Sequence, residues 1–461
     1  MTRICFLRGS PQKCENLIEV LNEYEKLSGK RVNLAKSAVC FSKNTSIPDQ
    51  EFLTQILGVG AVGVQDKYLG LPTLIAQSKL ATFPFVEERL MARLQGWAQR
   101  TLSSEAKETL IKSVASALAL HVLSCFKLPL TLCRILVRFV ARFLCGVEDG
   151  HSRIRWISWR KMCRSKHEGG MGFCMFEHFN QALLAKIGWR ILNEPQSLFA
   201  QVYKGKYFPT GTYLTSTARY CPSWGWQSIM YDLQLLMKGL RWQIGSRESV
   251  SALNESWVPA LHQDPRLITL KCFLKVGTLK CWIWCAVVGG GWSNDKLAQW
   301  FHPDTCHVIK AIPLPRLVME DKQIWHATYD EVFTITSSYH LVVQIDKQQG
   351  RWSPMVSWMD RQSLIQLWDS SIPPKLKVFL WQPLHRFLPT TEALIEKDVP
   401  VHPRWPVCWA KSETMEHLFL ECPVARALWD HVGLEHLGQW LPRQTSPLFL
   451  KKLLALIHDP H

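Results

Sequence analysis

No apolar run in this chain is both long and clean enough to cross a bilayer. The best stretch, residues 114–132, is interrupted by His121, Lys127 and Pro129, whereas a spanning helix needs about 20 apolar residues in a row. The first 29 residues lack the sustained apolar core and small-residue cleavage site of a secretory leader. A cysteine framework is missing as well. The 15 Cys are odd in number and scattered, which implies reduced thiols in an intracellular compartment, nuclear or cytoplasmic. Internal repeats and low-complexity linkers are absent. No His-Glu-x-x-His, nucleophile elbow or Walker sequence occurs, and zincin, hydrolase and P-loop chemistry go with them. Gly169-Gly-Met-Gly-Phe173 is glycine-rich, but it lacks the Gly-Lys-Ser/Thr ending and reads as a tight turn packed under aromatic rings. Acidic residues are in short supply, 38 against 54 Lys and Arg.

What remains is a globular chain with a positive surplus. At 461 residues there is length for about three domains. The mean hydropathy of −0.04 is that of a folded soluble protein. The net charge of +16 favours a polyanionic partner, nucleic acid being the commonest. The 21 Trp are abundant enough to stack on bases, although core packing is the expected use for most of them.

Helical periodicity dominates the pattern, with mainly α structure and short β elements (α+β) expected. Ser10-Pro11 opens a helix carrying Leu17, Val20, Leu21, Tyr24 and Leu27, and Ser28-Gly29 stops it. Val32, Leu34, Val39 and Phe41 suggest one or two short strands. Residues 1–7 read as a strand with no leading turn, as though a domain were truncated there. A helix from about Phe85 to Trp97 follows, then a longer one capped by Ser103 or Ser104 and ending before Pro129. In the next helix Arg134, Arg138 and Arg142 fall at four-residue spacing, opposite Ile135, Leu136, Phe139, Val140 and Phe143. Residues 131–170 hold nine Lys and Arg against three acids. Arg153, Arg155, Arg160 and Lys161 therefore join the stripe as candidates for phosphate contact. A solvated helix face accounts for the same charges. A helix from Asn180 to Trp189 comes after the glycine turn, and residues 206–350 are Trp-rich without clean periodicity. Phe333, Ile335 and Ser337 alternate as a strand would, before a helix at Ser338-Tyr339.

Residues 372–434 carry the most specific pattern. An apolar helix runs Pro374-Lys-Leu-Lys-Val-Phe-Leu-Trp381, a Pro turn follows at Leu388-Pro389, and then come Cys408, His417 and Cys422. His417 and Cys422 have the spacing of a zinc half-site, and Cys408 is close enough to join them. A Cys at 405 would complete Cys-x-x-Cys, but that position is Trp405. His402 is a conceivable substitute. Pro383 sits inside the apolar helix and is expected to shorten or kink it.

Together with Gly9-Ser-Pro11, Tyr68-Leu-Gly-Leu-Pro72, Leu94-Gln-Gly-Trp97, the glycine turn and Asn180-Gln-Ala-Leu-Leu184, these residues resemble the C-terminal half of plant LINE-type (non-LTR) retrotransposon polyproteins. The resemblance implies five divisions. Residues 1–67 would be the end of a polymerase palm and 68–200 a helical thumb-like and basic connection. Residues 201–350 would be a Trp-rich connection, 351–435 a reverse-transcriptase zinc-binding-like domain, and 436–461 a tail. It implies zinc at Cys408, His417 and Cys422, with the fourth ligand lost at Trp405.

The family's polymerase motif, aligned on Phe6 and Ser10, would place its Asp pair at Met1 and Thr2, neither of which is a carboxylate. With that pair gone, no Mg site and no catalytic residue are expected, because two-metal transfer needs clustered carboxylates. After Cys422 only Asp430, Glu435 and Asp459 remain, too few residues from the end for a ribonuclease H domain. The expectation is therefore a degenerate reverse-transcriptase-derived protein without polymerase activity, retaining sequence-independent binding to RNA or DNA backbone and no contact with membrane. The alternatives are a protein-interaction or structural module, or an accessory part of a split reverse transcriptase acting in trans.

Overall fold

The computed structural model describes residues 5–42, 44–61, 67–68, 70–72, 78–148, 151–152, 154–217, 222–245, 250, 256–258, 292–313, 319–352, 361–385, 387–402, 404–409 and 412–433. It is mainly α with short β elements. The chain divides into two compact units, residues 1–84 and 85–461. Met1, Thr2, Leu69, Arg153 and the 436–461 tail lie outside the described residues.

In the first unit the helix Pro11–Ser28 starts and stops as expected, with Pro11 in its first turn and Gly29 at φ 67°. Only glycine adopts that left-handed end at no steric cost. Ser10 precedes the helix without making a side-chain cap bond. The expected strands shrink to one: Ala38–Val39 pairs in parallel with Gly60–Ala61. Leu34–Lys36 is instead a 3-10 turn, because the Asn33 side chain accepts from the Lys36 amide and offers the backbone a local partner. The helix Ile47–Leu57 is capped by Ser46 and closed by Gly58. Lys67–Tyr68 and Leu71–Pro72 form an antiparallel pair around Gly70, at φ 81°.

The second unit is built around the helix Phe176–Asn193. Nine of its residues, including Ala182, Leu183, Leu184 and Ala185, are buried, and only a narrow strip of Lys186, Arg190 and Asn193 is exposed. The helices Leu120–Cys125, Leu130–Cys145, Leu198–Tyr207, Trp224–Met230, Leu233–Gly239 and Ile335–Gln348 all pack on it. Gly188 allows that density, since a Cβ there would meet Leu236 Cδ1 at 2.4 Å. The aromatic content goes inward: Trp226 and Trp325 are fully buried, and Trp226 stacks on Tyr207 at 4.5 Å.

Asn180 ties this helix to the chain that precedes it. Its Nδ2 donates to the Leu123 carbonyl at 2.6 Å and to that of Phe126 at 2.9 Å, and its Oδ1 accepts from the Leu128 amide at 2.9 Å. The orphan groups at the end of Leu120–Cys125 are thereby satisfied in the interior. The long helix expected before Pro129 begins at Ser103, whose side chain caps Ser104–Leu110. It then passes through a π-turn at Ile111–Ala115 before reaching Leu120–Cys125.

One expectation fails in the Trp-rich region. Phe333, Ile335 and Ser337 are not a strand, because Thr334 and Ser337 form a capping box that opens the helix Ile335–Gln348. The strand that does form, Leu240–Gln243, pairs antiparallel with Lys322–Trp325.

Pro383 falls in the last turn of Pro374–Leu384, and the helix ends one residue later, so the ring interrupts little. His385 caps that end, 7% exposed, between Trp381 at 5.1 Å and Phe387 at 5.6 Å. Burial, reinforced by the Lys161 charge, pushes its pKa from 6.5 down to about 4. The unfolded chain therefore takes up the proton first. His385 leaves stability intact above pH 6.5 and withdraws about 3 kcal/mol as the pH falls from 6.5 through 4. Urea unfolding across that range is expected to show this loss in the native chain and a shallower one in His385→Phe. Asn180→Leu, which strands three buried backbone groups, is expected to cost about 3 kcal/mol at pH 7 by the same measurement.

Candidate metal centre and basic surface

The Cys/His cluster is assembled by three short pieces of chain. Cys408 rides on a turn in which the Trp409 amide donates to the Trp405 carbonyl at 2.8 Å, with Arg404 and Ser412 bridging its base. His417 opens a π-turn, His417–Glu421, and the Cys422 amide donates back to the His417 carbonyl at 2.9 Å. That five-residue closure is the physical meaning of the His-x-x-x-x-Cys spacing: it returns residue 422 to the side of residue 417. Cys422 then stands at the head of the helix Pro423–His431. The turn is braced from below, where Arg426 Nε donates to the Leu420 carbonyl at 3.0 Å and Trp429 Nε1 to that of Phe419 at 2.8 Å.

The three ligand atoms lie within 4.8 Å of one another, the only group of three or more such side chains among the described residues. Cys408 Sγ is 3.1 Å from His417 Nε2. Zn–S bonds of about 2.3 Å in a tetrahedral shell place ligand atoms roughly 3.5–3.8 Å apart, a small adjustment from this arrangement. His417 and Cys422 are each 2% exposed. Burial works to raise the Cys422 thiol, but the Ala425 and Val424 amides outweigh it. Contacts from Cys408 and the Trp405 indole act with them, and the thiol is held below its ordinary value. A helix N-terminus that favours thiolate suits a metal ligand.

The residues present thus fit zinc on three sides. The fourth is Trp405, half-buried, with its indole directed at the Cys422 sulfur. An indole N–H is a donor only and cannot ligate. His402 does not replace it, since it is exposed, accepts from the Arg404 amide at 3.2 Å and lies edge-on to Trp409. His417 Nδ1 is buried without a partner among the described residues, so the usual outer hydrogen bond that orients a ligating imidazole is missing.

The basic candidates divide by environment. Arg134, Arg138 and Arg142 are all exposed on Leu130–Cys145, opposite the buried Leu132, Leu136, Val140 and Phe143. Arg155 and Lys161 are exposed as well. Arg160 is half-buried: it donates to the Arg351 carbonyl and lies 3.8 Å from both Glu177 and Asp346. The same network holds His178 and Asp346, 3.0 Å apart and each 5% exposed. Neither stood out in the sequence, because a His and an Asp 168 positions apart give no local signal. Arg164, four residues beyond Arg160, was also passed over, and its spacing was the available clue.

Comparison with known proteins locates these features. The family described as zinc-binding in reverse transcriptase matches residues 333–429. An Arabidopsis thaliana protein provisionally named a ribonuclease H protein is 26% identical over 405 residues, 84% of this chain and 61% of that protein. The chain therefore spans less than two thirds of that relative's length. An uncharacterized mitochondrial protein of Arabidopsis thaliana is 34% identical over 143 residues, 31% of this chain and 93% of that protein.

Restoring a sulfur ligand tests the geometry. Trp405→Cys is expected to tighten zinc more than about tenfold, measured by competition with a chromophoric chelator. Equal affinity in the two proteins would show that residue 405 does not occupy the ligand position.

Proposed function

From the premise that the chain belongs to the reverse-transcriptase-related proteins, we propose that it is a LINE-type, sequence-independent nucleic-acid-binding segment that performs no polymerisation itself. The arginine stripe carries this reading. Three guanidinium groups at successive turns of one helix, all exposed and backed by a buried face, present charge along a line, as a phosphate backbone does. The net charge of +16 supplies the long-range attraction.

Catalysis is left out of the proposal on chemical grounds. Two-metal phosphoryl transfer uses clustered carboxylates. Among the described residues the one cluster of three or more ligating side chains is Cys408, His417 and Cys422, a soft set suited to structural zinc. Zinc held there would cross-link the Cys408 turn, the π-turn and the last helix. Among the described residues no helix is long and apolar enough to cross a membrane. The protein-interaction alternative rests on the abundance of Trp and on uncommitted apolar helices; Trp226, Trp257, Trp325, Trp352, Trp368 and Trp381 are buried, where they supply core rather than surface.

Anisotropy titrations with labelled duplex and single strands are expected to show binding that weakens steeply with salt. Replacing Arg134, Arg138 and Arg142 together by Ala is expected to lower the slope of log K against log salt by roughly 2–3. An unchanged slope would remove the stripe from the interface. Primer extension by the isolated chain is expected to yield no product.

A further inference from the structure

Arg164 follows the short helix Trp159–Met162 and is 9% exposed. Its backbone is locked in place. The Gly172 amide donates to its carbonyl at 2.7 Å, and its own amide donates to that of Lys161 at 3.2 Å. Gly170 passes so close that a Cβ there would lie 2.2 Å from the Arg164 oxygen. The glycine turn noted in the sequence thus exists to fold tightly over this residue. Its guanidinium sits 5.7 Å from the centre of the Trp352 ring, and the Arg160 guanidinium packs on the same ring at 5.7 Å.

Arg164 has charge without a partner. No acceptor among the described residues takes a hydrogen bond from its guanidinium, and its Nε is sealed from solvent unpaired, as is Trp352 Nε1. The acids around it are committed elsewhere. Glu168 holds Lys347 at 2.6 Å. Asp346 holds Arg351 at 2.6 Å and His178 at 3.0 Å. Glu108 holds Lys112 at 2.6 Å and Lys166 at 3.2 Å, and Glu177 faces Arg160. Five cations (Lys112, Arg160, Lys166, Lys347 and Arg351) therefore occupy these four carboxylates (Glu108, Glu168, Glu177 and Asp346), and Arg164 brings a sixth positive charge. Desolvation lowers the Arg164 pKa, and Glu168 only partly opposes it. Buried charge is ordinarily paired, because leaving it alone is costly.

We propose that Arg164 anchors an oxyanion site that takes a phosphate group, with the Arg160 charge beside it and the Trp352 ring against both guanidinium groups. The ligand class follows from the donors. A planar fork of N–H groups matches two phosphate oxygens at once, which a single ammonium cannot do. The Trp352 ring lies within cation–π range of both guanidinium groups. The surplus of positive charge in the network favours a ligand of more than one negative charge. This site stands apart from the exposed Arg134, Arg138 and Arg142 stripe, so the two can fail separately.

The test is thermal unfolding of the full chain in inorganic phosphate and in chloride at matched ionic strength. The native chain is expected to be stabilised by phosphate beyond chloride, and Arg134→Ala/Arg138→Ala/Arg142→Ala is expected to keep that stabilisation. Arg164→Met, whose unbranched stem fills the same space, is expected to lose it. Arg164→Lys, which keeps the charge and loses the fork, is expected to bind phosphate roughly tenfold more weakly, and it serves if the Met variant does not fold. If a short duplex also protects in an Arg164-dependent way, the phosphate comes from a nucleic-acid backbone. Protection by inorganic phosphate alone points to a small phosphate ligand, and either result supports the site. Equal stabilisation by chloride, a phosphate effect retained in Arg164→Met, or Arg164-dependent protection by an acidic peptide and not by phosphate would each overturn it.

Discussion

Burial of the Phe176–Asn193 helix is the constraint on which the larger unit depends. A helix this deeply buried can bear polar side chains on its covered faces only where each finds a partner. Asn180 meets that condition by closing three backbone groups of the 123–128 turn, and His178 meets it through Asp346 on Ile335–Gln348. The two residues lie within one turn of each other and reach in opposite directions along the chain. One fixes the helices that lead to the arginine stripe. The other fixes the first helix of the region matched by the reverse-transcriptase zinc-binding family. Packing of apolar surface supplies most of the stability, but these bonds determine which helix meets which.

Much of this was legible in the sequence where the signal is local. Pro11 and Gly29 set a helix without reference to anything distant, and the spacing of Arg134, Arg138 and Arg142 follows from the 3.6-residue period alone. The same holds for His417 and Cys422, whose separation is one turn of π-helix. Failures came where two local codes compete. Phe333, Ile335 and Ser337 alternate like a strand, yet Thr334 and Ser337 can satisfy each other's amides and so nucleate a helix. Hydrophobic alternation over three positions is weaker than a capping box. The environment of Arg160 and Arg164 was illegible for a different reason. Their surroundings are set by Trp352, Asp346 and Glu177, and no spacing rule reports contacts across so much chain.

The charge of this region also has to be read by environment rather than by count. Nine basic residues in a stretch of forty suggest one continuous interface, but the structure separates them into two kinds. On Leu130–Cys145 the guanidinium groups of Arg134, Arg138 and Arg142 face water. Around Arg160 and Arg164 they are withdrawn into an ion network with too few carboxylates to balance it. Equal charges thus sit in different environments: the first group is exposed along one helix face, and the second packs against Trp352.

Half of the C-terminal region does not rely on metal for its position. Trp381 donates its indole N–H to the Gly169 carbonyl at 3.0 Å. Val378, Trp381 and Leu384 are buried together with Leu364 and Leu367, and the helix Arg361–Asp369 packs on the 166–168 turn beside Arg164. Those contacts hold Pro374–Leu384 whether or not a cation sits at Cys408. Only the 404–431 segment would gain order from zinc, and even there Arg426 and Trp429 already brace the π-turn through its own carbonyls. Trp405, half-buried, then does one thing a cysteine would not: it gives the Cys422 sulfur an indole hydrogen-bond donor.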